Sequence, residues 1–115
     1  MGLDTFAART AQDEELGEKD SRAFAGIVLC GGMHSGSDGS FRGKVYDSLI
    51  EGVTDVSLYQ EWIAPEVVRE MAAALEACDT ERAAIEFDSS PVECEQLRRF
   101  FQICGERGLG LVGWW

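Results

Sequence analysis

Leu109-Gly110-Leu111-Val112-Gly113-Trp114-Trp115 is apolar throughout and reads as a strand. Side chains alternate across a strand, so Trp114 and Trp115 are expected on opposite faces. One of them can enter a core directly. The other needs a helix, the N-terminal strand or a second subunit to cover it. Gly110 and Gly113 suit a place where another backbone or a helix comes close. A lone strand leaves its backbone groups unpaired, so the chain must supply strand partners. Two upstream stretches qualify. Residues 3–9 alternate, with Leu3, Thr5 and Ala7 on one side and Phe6 on the other. Ile27-Val28-Leu29-Cys30 is short, apolar and bounded by Gly26 and Gly31, as a buried strand is. The expected fold is α+β: a small sheet of about three strands (N-terminal, residues 26–30 and C-terminal) packed against three or more helices.

The helices announce themselves between those strands. Val45, Leu49, Ile50 and Val53 recur at helical spacing, opposite Asp47, Ser48 and Glu51. Ser57-Leu58-Tyr59-Gln60 has the Ser-x-x-Gln form of a capping box, which predicts one or two helical turns carrying Leu58, Trp62 and Ile63 inward. Pro65 suits the first position of a further helix whose stripe runs through Met71, Leu75 and Cys78. The strongest local signal is Ser90-Pro91-Val92-Glu93, with an N-cap serine, proline at the first helical position and glutamate three residues after the cap. Val92, Leu97, Phe100, Phe101 and Cys104 follow as its inward face, and Gly105 and Gly108 bracket its end. Asp20 to Phe24 suits a turn of helix, residues 10–19 a surface loop, and residues 79–89 fit a helical turn or a short strand equally well.

At 115 residues, 45 % hydrophobic and 27 % charged, the chain fits a single domain spanning residues 1–115. Twenty-one acidic against ten basic residues give a net charge of −11. Such a field repels nucleic-acid phosphates and gains nothing from counterion release, so no nucleic-acid partner is expected. It serves solubility, and it also suits a surface that meets a basic partner. No apolar run approaches the length of a bilayer span, and no basic leader followed by an apolar segment opens the chain, so a cytoplasmic location without membrane association is expected.

Residues 30–44, Cys30-Gly31-Gly32-Met33-His34-Ser35-Gly36-Ser37-Asp38-Gly39-Ser40-Phe41-Arg42-Gly43-Lys44, hold five of the thirteen glycines and the only histidine. A strand entering a glycine-rich loop that opens a helix is the layout of phosphate-binding loops, where backbone N–H groups and the helix N-terminus receive an anion. Gly31, Gly32, Ser35, Arg42 and Lys44 are the candidate ligand-binding residues. Neither standard motif is present. Gly43-Lys44 is followed by Val45 and preceded by Asp38 where the Walker loop needs glycine, and no two glycines here are spaced by one residue as the dinucleotide fingerprint requires. The simpler reading is a turn whose glycines solve backbone problems. Cys30 and His34 are the candidate catalytic pair, since a nearby histidine can activate a thiol, but nothing selects the orienting carboxylate that such a pair needs. The four cysteines contain no Cys-x-x-Cys, so no metal site and no cofactor is expected, and Cys78, Cys94 and Cys104 fall on helical apolar stripes where thiols act as small hydrophobes.

The segments Met1-Gly2-Leu3-Asp4-Thr5, Ser40-Phe41-Arg42-Gly43-Lys44-Val45-Tyr46 and Ser57-Leu58-Tyr59-Gln60-Glu61-Trp62-Ile63 resemble small uncharacterised bacterial proteins of actinobacterial type. The resemblance covers most of the chain and implies no particular fold, activity or site residue.

The residues therefore point first to a small acidic domain that binds a protein partner or a second copy of itself, with Trp114 and Trp115 as the interface candidates. Immunity proteins and antitoxins offer an analogy, being small and acidic. The alternative is a small-ligand or anion-binding domain, with or without Cys/His catalysis, using residues 30–44. The absence of a complete catalytic constellation favours a binding protein over an enzyme.

Overall fold

The computed structural model describes residues 3–11, 18–27, 29, 39–87 and 89–115. Its elements are β1 (Asp4–Ala8), α1 (Glu18–Arg22), β2 (Ser40–Arg42), α2 (Gly43–Thr54), β3 (Trp62–Ile63), α3 (Pro65–Ala77), α4 (Thr80–Glu86), α5 (Pro91–Arg107) and β4 (Gly110–Trp114). The class is α+β. The sheet has four antiparallel strands in the order β2-β1-β4-β3.

The central pair joins the two ends of the described chain. Asp4 lies opposite Trp114, Phe6 opposite Val112 and Ala8 opposite Gly110. The expected alternation in β1 holds, with Leu3, Thr5 and Ala7 buried and Phe6 half-buried. The strand expected at residues 26–30 takes no place in this sheet at its described positions. Gly26 has a positive φ and ends a turn, and Ile27 and Leu29 are buried outside any strand; Val28 and Cys30 lie outside the described residues. The position beside β1 goes instead to Ser40–Arg42, whose Phe41 is the one bulky apolar side chain in that stretch of chain and enters the core.

The expected helix at residues 57–63 is also replaced. Ser57 Oγ accepts from the N–H of Tyr59 at 3.1 Å, two residues on rather than three, and so turns the chain without starting a helix. Asp47 of α2 fixes that turn by accepting from the N–H of Leu58 at 2.7 Å and from Ser57 Oγ at 3.1 Å. The chain is thereby delivered to the open edge of β4, where Trp62 pairs with Val112 and Ile63 with Leu111. Backbone pairing along a buried strand outweighs a surface capping box.

The other helices form where their local signals place them, but Val45 of α2 and Val92 of α5, expected on the inward faces, are exposed because each lies in the first turn, ahead of the part of its helix that packs on the core. Ser90 caps α5 by accepting from the N–H of Glu93 at 3.1 Å, and Gly108 ends it with φ 67°. Within the stretch 79–89 the described residues form the helix Thr80–Glu86, because Asp79 accepts from the N–H groups of Glu81 and Arg82 at 3.0 and 3.2 Å. Leu3, just ahead of β1, and Ala7, Phe41, Ile63 and Leu111 of the sheet share one core with Tyr46, Ile50, Val68, Met71, Leu97 and Phe100 of α2, α3 and α5. The helices thus cover the face of the sheet that carries Thr5, Ala7 and Leu111.

Among the described residues two polar side chains are buried, for different reasons. Asp20 of α1, with 8 % of its side chain exposed, receives Arg9 Nε at 2.7 Å, Arg9 Nη2 at 2.8 Å and Arg107 Nη1 at 3.0 Å. It ties α1 to the end of β1 and the end of α5. The hydrogen bonds from Arg9 hold its carboxyl below the ordinary 3.8, against burial, with Arg107 helping. A lowered carboxyl pKa stabilises the fold above the unfolded value and is lost as pH falls through the folded one. Asp20→Asn is therefore expected to cost about 1–2 kcal/mol near neutral pH, discounted for the exposure of both arginines. In urea titrations at decreasing pH, the gap between wild type and variant should close below pH 3.8. A gap that persists there would remove the ion pair as its cause.

Thr5 is 1 % exposed, and among the described residues its Oγ1 has no hydrogen-bond partner. An unsatisfied buried hydroxyl carries a desolvation cost that a methyl of the same shape avoids. Thr5→Val is expected to raise stability by about 1 kcal/mol, read as an upward shift of the urea midpoint at unchanged slope.

Candidate protein-interaction face

Strand alternation sorts the other half of the sheet onto the face away from the core. Asp4, Phe6 and Ala8 of β1, Val112 and Trp114 of β4, Trp62 of β3 and Ser40 and Arg42 of β2 share it through the register. Two rows cross the sheet: Ser40–Phe6–Val112–Trp62 and Arg42–Asp4–Trp114. Exposure rises along the strands. Ala8 and Gly110 are buried, with the Trp62 indole lying over Gly110; Phe6, Val112 and Trp62 are half-buried; Asp4 and Trp114 are exposed. In the first of these rows Phe6, Val112 and Trp62 are adjacent apolar side chains, each partly exposed.

Two exposed tryptophans stand at the end of β4. Trp114 is 72 % exposed and Trp115 50 % exposed. They leave opposite sides of the strand as alternation requires, but neither enters the core, which corrects the expectation that one would. Gly113 is buried beneath the carbonyls of Leu58 and Gln60, and the Trp115 ring folds back towards it. That ring meets exposed Tyr59 edge-on, with centroids 5.7 Å apart at 71°. Trp62 escapes sequence reading because it reaches the outer face only through the pairing of β3 with β4, whereas Tyr59 and Trp115 meet on the other side of β4 at its end.

Of the loop candidates, Cys30, Gly31, Gly32, His34 and Ser35 lie outside the described residues. Arg42 and Lys44 do stand where α2 begins, as expected. Arg42 is half-buried opposite Asp4, and Lys44 is exposed, its backbone N–H donating to the Leu3 carbonyl at 3.3 Å. The other three thiols suit packing and not chemistry. Cys94 and Cys104 are buried, and Cys78, half-buried at the end of α3, donates to the Leu75 carbonyl at 3.1 Å. Burial pushes all three above the usual thiol range, which keeps them protonated at neutral pH.

An open cleft of about 150 Å³ lies between the end of α2 and α4, lined by Gly52, Val53, Cys78, Asp79, Arg82 and Phe87 among others. It is smaller than ordinary ligand pockets, and Asp79 there is already occupied as a helix cap. Among the described residues no three His, Cys, Asp or Glu side chains group to hold a metal, and no helix is long and apolar enough to cross a membrane. No protein-family model, no curated protein and no solved structure matches this chain.

Proposed function

We propose that this chain is a partner-binding domain that engages another, basic protein through the outer face of its sheet. The observation that carries the reading is the apolar row Phe6–Val112–Trp62 lying beside the exposed Trp114 on the same face. Tryptophan and tyrosine supply large rigid contact area and dominate interface energetics. Net charge chooses between occupants. A second copy brings another −11 to the contact, whereas a basic protein is drawn to it. Contact through side chains is favoured over strand addition, because β2 has three residues, β3 has two, and Pro65 follows soon after.

The test begins with capture of a stoichiometric partner from the host, followed by reconstitution from the two purified proteins. Trp114→Glu is expected to weaken the reconstituted complex about thirty-fold or more, as loss of an interface tryptophan that anchors a contact does, while leaving the far-ultraviolet circular dichroism spectrum unchanged. A complex indifferent to Trp114→Glu removes the face from the reading. A stable homodimer that Trp114→Glu dissociates transfers it to self-association.

A further inference from the structure

We infer that Asp4 and Trp114 form a slot for a guanidinium or ammonium side chain of the partner, an inference that rests on the outer sheet face being the partner surface. The two residues stand directly opposite each other in the β1–β4 register. Directly opposed side chains on one face of an antiparallel pair have Cβ atoms about 4.5–5.5 Å apart. An indole and a carboxylate at that spacing offer one cation two attractions, the π face of the ring and the charge of the oxygen pair.

Both groups are available. Trp114 is 72 % exposed and Asp4 is exposed. Among the described residues the Asp4 carboxylate has no hydrogen bond or ion pair, although Arg42 is its neighbour on the other side. An isolated surface carboxylate is ordinary. One paired with an exposed tryptophan, beside an apolar strip on a chain of charge −11, gives a contact in which the strip supplies area and the slot selects charge. Arg42 then tunes the slot, because its positive charge beside Asp4 opposes an incoming cation.

The experiment titrates the full chain with an acetylated hexa-arginine peptide and, separately, with its uncharged hexa-citrulline analogue, following backbone and indole N–H signals by NMR. Hexa-arginine is expected to shift the Trp114 indole and Asp4 amide signals saturably, and hexa-citrulline to leave them unmoved. Asp4→Asn should weaken the arginine peptide about ten-fold, Trp114→Ala should do the same or more, and Arg42→Ala should strengthen it. Glu76→Gln, an exposed acid on α3, serves as the control and should change the affinity little. Equal effects of Asp4→Asn and Glu76→Gln would show diffuse attraction to an acidic protein and overturn the slot, as would the absence of any saturable shift. If the slot fails while Trp114→Glu still dissociates the reconstituted partner, the sheet face stands as the partner surface and only its cation selectivity falls. If both fail, the partner surface falls too.

Discussion

Phe100→Ala is expected to lower the unfolding free energy by about 3–5 kcal/mol, the usual range for emptying a buried phenylalanine site. Phe100 is fully buried on α5, and three rings enclose it. Phe24 is 4.7 Å away by ring centroid, Phe41 meets it edge-on at 4.9 Å and 81°, and Phe101 lies at 6.1 Å. These neighbours come from the turn after α1, from β2 and from α5 itself. Such a site collapses poorly, because Phe41 is held by the pairing of β2 with β1, and Phe24 follows the segment that Asp20 anchors. The loss is a large share of a typical total of about 5–15 kcal/mol, so the variant should show a much lower urea midpoint and be partly unfolded on modest warming. Phe100→Leu keeps most of the volume and should cost roughly half as much or less. If Phe100→Ala cost under about 1 kcal/mol, this cluster would not be the centre of the core.

The contrast between α5 and β3 shows which parts of the fold a reader of the sequence can reach. Ser90, Pro91 and Glu93 define the start of α5 within four residues, and the serine cap forms as the spacing indicates. The glutamate, however, turns away from the reciprocal half of the capping box. Its carboxylate accepts from Tyr46 Oη at 3.1 Å and Ser89 Oγ at 3.2 Å, tying α5 to α2. Ser57 and Gln60 carry a similar local signal but lose to a non-local demand, the unpaired edge of β4. β2 was hidden for a different reason: three residues are too few for alternation to register. The candidate site divides in the same way. Trp114 and Trp115 stand out as large rings that a thin sheet does not cover, whereas Asp4 and Trp62 join Trp114 only through register and strand order, which no local pattern encodes.

Gly110→Ala is expected to cost about 2–3 kcal/mol, in the range of core overpacking, and to act mainly on one strand. A Cβ at Gly110 would lie 2.5 Å from the Ile63 carbonyl oxygen and 2.5 Å from Cη2 of Trp62. The indole can swing aside. The carbonyl belongs to the backbone of β3, and it moves only if the pairing of Trp62 with Val112 and Ile63 with Leu111 loosens. The variant should therefore stay folded through β1, β2, β4 and the helices while β3 peels from the sheet. Two readouts follow: a red shift of tryptophan emission as Trp62 leaves Gly110, and faster hydrogen exchange at the Gly113 amide, which donates to the Glu61 carbonyl at 3.3 Å. Gly108→Ala is the control. Nothing lies within 4 Å of a Cβ there, so the substitution meets only the strain of φ 67°, about 1 kcal/mol, and should leave β3 in place. The comparison also bears on binding. Trp62 supplies one end of the apolar row, so Gly110→Ala should weaken the partner complex without touching Asp4 or Trp114, and Gly108→Ala should not. Equal weakening by both glycine variants would mean that lost stability, and not the placement of β3, governs the contact.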